Sequence, residues 1–253
     1  MSEKTLTNKT LEQHCISKSI FLHLFPGLLS VIFYSLTAPI AVTYGFPSMF
    51  AFILAMICTS LPFELGYLLY QGEQINGEMS LKGLFDFEGK LSLDEYLVLV
   101  PTLVIWGAVC LGFIGLVIDP IIISKLFSFL PEWFNVNDII YNAPKYSTTT
   151  LIVTFILCFI VLGIIAPLIE ELYFRGYLLP RISEYESSSP FISALLSCIY
   201  HFHTPWQLFS NLLFYFPMTH LVWKRNDLKL ALYVRVILGV GLSLSLIPLI
   251  WVE

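Results

Sequence analysis

The stretch that most constrains this chain is TTTLIVTFILCFIVLGIIAPLIEELYFRGYLL, residues 148 to 179, which no charge interrupts before Glu170. A helix crosses the hydrocarbon core of a bilayer with about 20 apolar residues at about 1.5 Å each, so this run is longer than one perpendicular crossing requires. It must tilt, kink at Pro167 or project from the membrane. Similar runs recur, and their spacing predicts seven spans at 20–43, 48–70, 95–118, 148–183, 189–203, 207–223 and 229–250. With 57% of its 253 residues hydrophobic and only 12% charged, the chain has too little polar surface to cover itself in water. The expected class is an all-α polytopic membrane protein with about seven transmembrane helices.

Other classes fall away on the same grounds. The alternating pattern of an outer-membrane barrel is absent. The five cysteines are isolated and mostly within apolar runs, with no CxxC spacing for a metal or redox centre. There is no basic tract for nucleic acid, no glycine-rich phosphate loop and no internal repeat. The polar opening MSEKTLTNKTLEQHCISKS does not resemble a removable signal peptide. It is read as a cytoplasmic segment, residues 1–19, followed by one transmembrane domain, 20–253.

Lysine and arginine set the orientation, because cytoplasmic loops carry their excess. With the N-terminus inside, that side holds Lys4, Lys9, Lys18, Lys82, Lys90, Arg175 or its neighbour Arg181, Lys224, Arg225 and Lys229. The other side holds Lys125 and Lys145. The chain is expected to cross a membrane several times, with the bilayer as its first partner. The long segment between spans three and four mixes Phe, Trp, Ile and Pro, and suits the headgroup level.

Glu170, Glu171 and Arg175 are either the water-facing flank of a span or groups held within it. The apolar GYLL that follows Arg175 favours the second. If the helix runs to about Glu184, Glu170 lies about 20 Å from its inner end, and His201 lies about 20 Å along the next span. Acids, Arg and His at one depth in a membrane are expensive and point to function. Glu171 and Arg175, four apart with the acid first, suit an ion pair. Glu170 points about 100° away, free of that pair and suited to act as a general base that activates water. His201 would share or orient that water, or bind a metal. His203, two residues on, is expected to face elsewhere, and His14, His23 and His220 to be structural or interfacial.

These residues carry a resemblance. EELYFRGYL resembles the Glu-Glu-x-x-x-Arg motif of the CAAX-processing and bacteriocin-processing (CPBP, Abi) intramembrane proteases, and SALLSCIYHFHTPWQ resembles their second motif, placing His201 in the His position. LPFELGYLLYQG and WKRND are similar to the bacterial branch; the motif core spans 160–240. The resemblance implies a helical bundle around a polar cavity open to the cytoplasm. There Glu170 activates water to hydrolyse a membrane-associated peptide or protein. A divalent metal such as zinc, where one takes part, would be held by Glu170 and His201.

Three positions depart from the pattern. Ser197 stands where the second motif has Phe. The third motif, His-x-x-x-Asn or -Asp, falls on Arg235 and Gly239 in RVILG. An arginine there would pair with Glu170, weaken it as a base and repel a metal. Two functions therefore stand against each other: a membrane endopeptidase, and a non-catalytic family member serving as a scaffold or partner of another membrane or cell-envelope protein. A transporter is disfavoured by the missing repeat symmetry.

Overall fold

The computed structural model describes residues 12–85, 89 and 91–251, so that Lys4, Lys9 and Lys90 of the charge pattern lie outside the described residues. The described residues contain no strand. Their principal helices are α1 (Ile16–Thr43), α2 (Ser48–Asn76), α3 (Leu93–Leu126), α4 (residues 148–178), α5 (Ser189–Tyr200), α6 (Leu208–Arg225) and α7 (Leu228–Leu244). Among the described residues five helical stretches are long and apolar enough to cross a membrane: α1, α2, α3, Thr148–Tyr200 and Leu228–Trp251. Only 17% of the most apolar window of α3 is buried, so its apolar residues face outward, where lipid can receive them. The protein is an all-α, multi-pass membrane protein.

The expected fourth and fifth spans both lie within Thr148–Tyr200, where they are separated differently from the sequence reading. The helix reaches Leu178 rather than Glu184, then tightens through Leu179–Ser188, where Glu186 adopts φ 47°. Its 12 residues make α5 about 18 Å long, too short to cross alone. It ends against the middle of α1, where the carbonyl of Tyr200 packs directly on Gly27 and leaves no room for a side chain. Neither α5 nor α6 by itself meets the length and apolarity of a crossing, in place of the two spans expected there.

Local chemistry explains the helix boundaries and bends. Ser92 and Glu95 form a reciprocal capping box that starts α3. The tight turn between α6 and α7 uses Asn226 in the left-handed region. Asp227 then accepts from the Lys229 N–H at 2.9 Å and the Tyr96 hydroxyl at 2.7 Å. Widened, π-type turns at Met56–Ser60 and Cys158–Ile165 lie just before Pro62 and Pro167. A proline has no N–H for the preceding turn and its ring crowds that turn's carbonyl, so widening relieves the clash.

The chain directions give the bundle two distinct ends. One, the loop end, gathers Thr43, Ser48, Leu126, Thr148 and Leu244 with the 127–147 connection. The other, the basic end, gathers the N-terminal segment and the 77–92, 179–188 and 226–227 connections. Tyr34, Phe52, Met56, Ile139 and Leu151 pack the loop end; Leu22, Leu68, Leu84, Tyr173 and Tyr177 pack the basic end. At the basic end the His14 N–H donates to the Arg181 carbonyl at 2.6 Å, and the Arg181 guanidinium sits over the Tyr177 ring at 3.5 Å.

Helix α7 packs on α4 backbone to backbone. A Cβ at Gly239 would stand 2.7 Å from the Gly163 carbonyl oxygen and 3.0 Å from that of Leu162. Gly239→Ala is therefore expected to push the helices apart and cost about 1–3 kcal/mol, read as earlier thermal unfolding in detergent; an unchanged transition would place the helices further apart than described. A second expectation concerns His14. Burial, then the nearby Lys18 and Arg181 charges, lower it from about 6.5 to about 4. The neutral form is the one that docks, so its contribution is full above about pH 6.5 and is lost as pH falls towards about 4. Limited proteolysis of the N-terminal segment should rise across that window, and His14→Gln should flatten the dependence.

Candidate active site

Four charged side chains meet in the middle of the bundle. Glu170, Glu171 and Arg175 come from α4 and are 5%, 0% and 1% exposed, whereas Arg235 comes from α7. Arg175 Nη1 lies 3.3 Å from Glu171 Oε1, the i,i+4 contact expected from their spacing. Arg235 then joins the two acids, with Nη2 donating to Glu170 Oε2 at 2.7 Å and Nε donating to Glu171 Oε1 at 3.2 Å. Two carboxylates and two guanidiniums give the cluster a formal charge of zero. That balance is what permits its burial, because an unpaired ion there would carry a desolvation penalty of several kcal/mol.

Helix α6 supplies the remaining wall. Arg175 Nε donates to the Thr219 hydroxyl at 3.2 Å. The ring of Tyr215 receives both cations on its faces, with the carbon of Arg175 at 4.7 Å and that of Arg235 at 5.0 Å from its centroid. The Tyr215 hydroxyl lies 3.4 Å from His201 Nε2. His201 is thus connected to Glu170 through Tyr215 and Arg235, and His201, Arg235 and Glu170 all line one cavity of about 690 Å³.

His203 departs from expectation. The helix ends at Tyr200 instead of continuing to 203, and the following loop turns His203 back onto the same cavity. Its ring lies 5.5 Å from that of His201 and 4.0 Å from Phe52. Gly239 also lines the cavity, while serving chiefly as the contact that lets α7 approach α4. Ser197 is buried, and its hydroxyl donates to the Ser193 carbonyl of its own helix at 2.8 Å. His23 is fully buried against Phe174, away from the cavity, with Nδ1 2.8 Å from the Ser19 carbonyl oxygen. His220 lies between Phe216 and Trp223, tilted against both rings.

The sequence reading missed Glu64. It is 0% exposed in the middle of α2, accepts from the Tyr200 hydroxyl at 2.8 Å, and leaves Oε2 without a hydrogen-bond partner. The signal was present: a single acid in SLPFELGY, inside an otherwise apolar span, is costly unless it has a purpose. Through Tyr200, which adjoins His201 and rests on Gly27, the Glu64 side chain holds the end of α5 where the site needs it.

Residues 152–239, about a third of the chain, match the family model described as type II CAAX prenyl endopeptidase Rce1-like. Over this stretch the chain is similar to the CAAX-protease (CPBP) family, which the match supports. The match begins near the start of α4 and ends at Gly239, so it takes in Glu170, Glu171, Arg175, His201 and Arg235. It supports a membrane endopeptidase-type function. No curated protein and no solved structure matches the chain.

The donors present do not fit a divalent metal. Among the described residues no three His, Cys, Asp or Glu side chains converge as ligands. A permanently charged guanidinium occupies Glu170 Oε2, where a metal held by Glu170 and His201 would need access.

Glu171 is the shared acceptor of both arginines, and its loss strands two buried cations. Glu171→Ala should cost about 3–5 kcal/mol, whereas Glu170→Ala, which leaves Arg235 paired to Glu171, should cost clearly less. Denaturant unfolding in detergent of the two single variants and the double variant measures this. Equal single losses would show that the cluster is not centred on Glu171.

Proposed function

We propose that the chain is an intramembrane endopeptidase of the CAAX-protease type that hydrolyses a peptide bond of a membrane-associated peptide or protein, with Glu170 as the base. It works in the plasma membrane with its N-terminus in the cytoplasm. The observation that carries this reading is the placement of Arg235. Two acids hold its guanidinium while the same side chain lines the cavity, so N–H groups not engaged by the carboxylates are available there.

The chemistry follows from these positions. A water between Glu170 and His201 attacks the peptide carbonyl carbon, and Glu170 takes its proton. The carbonyl oxygen becomes an oxyanion, and Arg235, pre-oriented by its two carboxylates, donates to it. Collapse of that intermediate breaks the C–N bond, and the proton on Glu170 passes to the leaving nitrogen. Arg235 thus takes the place of the histidine in the family's third motif as a hydrogen-bond donor, a task that requires no lone pair. No step is assigned to a metal.

One observation favours the second reading, a family member that binds a membrane partner without cleaving it. Arg235 already occupies Glu170 Oε2 at 2.7 Å and competes with water for that oxygen.

Purified protein in detergent, incubated with peptide libraries with and without a farnesylated cysteine near the C-terminus, separates the two. Glu170→Gln should lower cleavage by about 10²-fold or more, as loss of a general base does. Arg235→Lys should lower kcat by about 10²-fold, as loss of an oxyanion donor does. Cleavage indifferent to Glu170→Gln would sink the hydrolytic mechanism. Cleavage absent from the wild type but gained by Arg235→His would establish the binding reading.

A further inference from the structure

The resemblance implies a cavity open to the cytoplasm, and the basic residues imply a cytoplasmic N-terminus. In this bundle those two properties exclude each other. The cavity is built entirely from the half of the molecule at the loop end. Met49 and Phe52 are in the first turns of α2; Asp119 and Ile123 are near the end of α3; Val136 and Tyr141 belong to the 127–147 connection. On α7 the lining begins at Arg235 and continues to the helix's far end, through Ser243, and beyond it to Leu246.

Beneath Glu170 the route is closed. From Tyr173 to Leu178 every residue of α4 is buried, and Leu22, Leu68, Leu84 and Tyr200 pack around them. On the other side of the cluster, Phe214, Met218, Val222, Leu230 and Val234 form a second fully packed layer. The charged site is therefore the floor of a cavity whose mouth lies at the loop end. Polar groups gather towards that mouth: Asp119, Asn135, Asn137, Gln207 and Ser245 all line the cavity there, and Asp119 Oδ1 is buried without a hydrogen-bond partner. Apolar Phe52, Met56 and Leu162 line the deeper walls.

The charge bias then assigns the faces. Among the described residues the basic end carries Lys18, Lys82, Arg181, Lys224, Arg225 and Lys229, and the loop end carries Lys125 and Lys145. Cytoplasmic loops hold the excess of Lys and Arg, so the mouth faces away from the cytoplasm.

We infer that this site is served from the extracytoplasmic side, and that its substrate is an apolar peptide segment that has already been translocated, not the cytoplasmic tail of a membrane-associated protein. About 690 Å³ lies within the range of sites that enclose a small ligand, which corresponds to a few residues of extended chain rather than a folded domain. The statement about substrate rests on the proposed peptide-cleaving or peptide-binding role; the statement about access rests on the bundle and its charges alone.

Thiol accessibility tests the access directly, with a readout that hydrolysis does not affect. Cys15, Cys58, Cys110 and Cys198 are replaced by serine or alanine, which leaves Cys158, buried on the cavity wall, as the native reporter. Tyr141→Cys, at an exposed position on the mouth, and Lys82→Cys, on the basic end, are added singly. Spheroplasts expressing the full chain are treated with a membrane-impermeant maleimide before or after permeabilisation, and with a small charged methanethiosulfonate for Cys158. The inference expects Tyr141→Cys labelled at once and Lys82→Cys only after permeabilisation. Cys158 should react from outside, more slowly than Tyr141→Cys. Labelling of Lys82→Cys in intact spheroplasts, or of Tyr141→Cys or Cys158 only after permeabilisation, overturns it. Correct labelling together with an inactive wild type would leave the access assignment standing and remove only the hydrolytic role.

Discussion

The bundle depends on burying four charges without leaving any of them alone. In hydrocarbon a single unpaired carboxylate or guanidinium is costly enough to be rare, so Glu170, Glu171, Arg175 and Arg235 have to be brought together as a neutral set. That requirement fixes the relation of α4 to α7. It also explains why Tyr215 lies between the two arginines, its ring facing both cations, with its hydroxyl turned to His201. The site is accordingly a consequence of how the core is neutralised.

Arg235 and Gly239 make physical sense as a pair. An arginine reaches further than a histidine, and the carbon of its guanidinium is 5.0 Å from the Tyr215 ring while its nitrogens meet two carboxylates. One turn on, the glycine lets the backbones of α7 and α4 touch, so that an asparagine side chain at 239 would collide with the Gly163 and Leu162 carbonyls. At these two positions the chain thus has one long side chain that reaches the acids and one close helix contact. A histidine at 235 would therefore change the chemistry alone, whereas an amide side chain at 239 would also move a helix.

Much of this was legible in the sequence, because it follows from periodicity and cost. The apolar runs locate most of the helices and the Glu171–Arg175 spacing gives their contact, whereas the step from Glu170 to its neighbour, which leaves Glu170 outside that pair, does not show that Arg235 bridges both acids. What was not legible depends on where chain segments stop. Nothing in SCIYHFHTPWQ says that the helix ends at Tyr200, and that one event turns His203 into the cavity and sets the depth of His201. Glu64 was overlooked for the opposite reason. Its cost was visible, but its purpose required knowing that Tyr200, far along the chain, would stand opposite it.

The same distinction governs the sidedness of the site. Charge counting along the chain orients the loops, but it says nothing about which half of a helix faces a void. That depends on which layer of side chains is large. Toward the basic end the residues after Glu171 are Tyr173, Phe174 and Tyr177, whose rings fill the space between α1, α2 and α5. Toward the loop end the α4 residues that line the cavity before Glu170 are Cys158, Leu162, Ala166 and Pro167, of which only Leu162 is large. A helix with small residues on one side of its charges and aromatic residues on the other opens towards the small ones. Here that gradient points away from the end that carries most of the lysines and arginines.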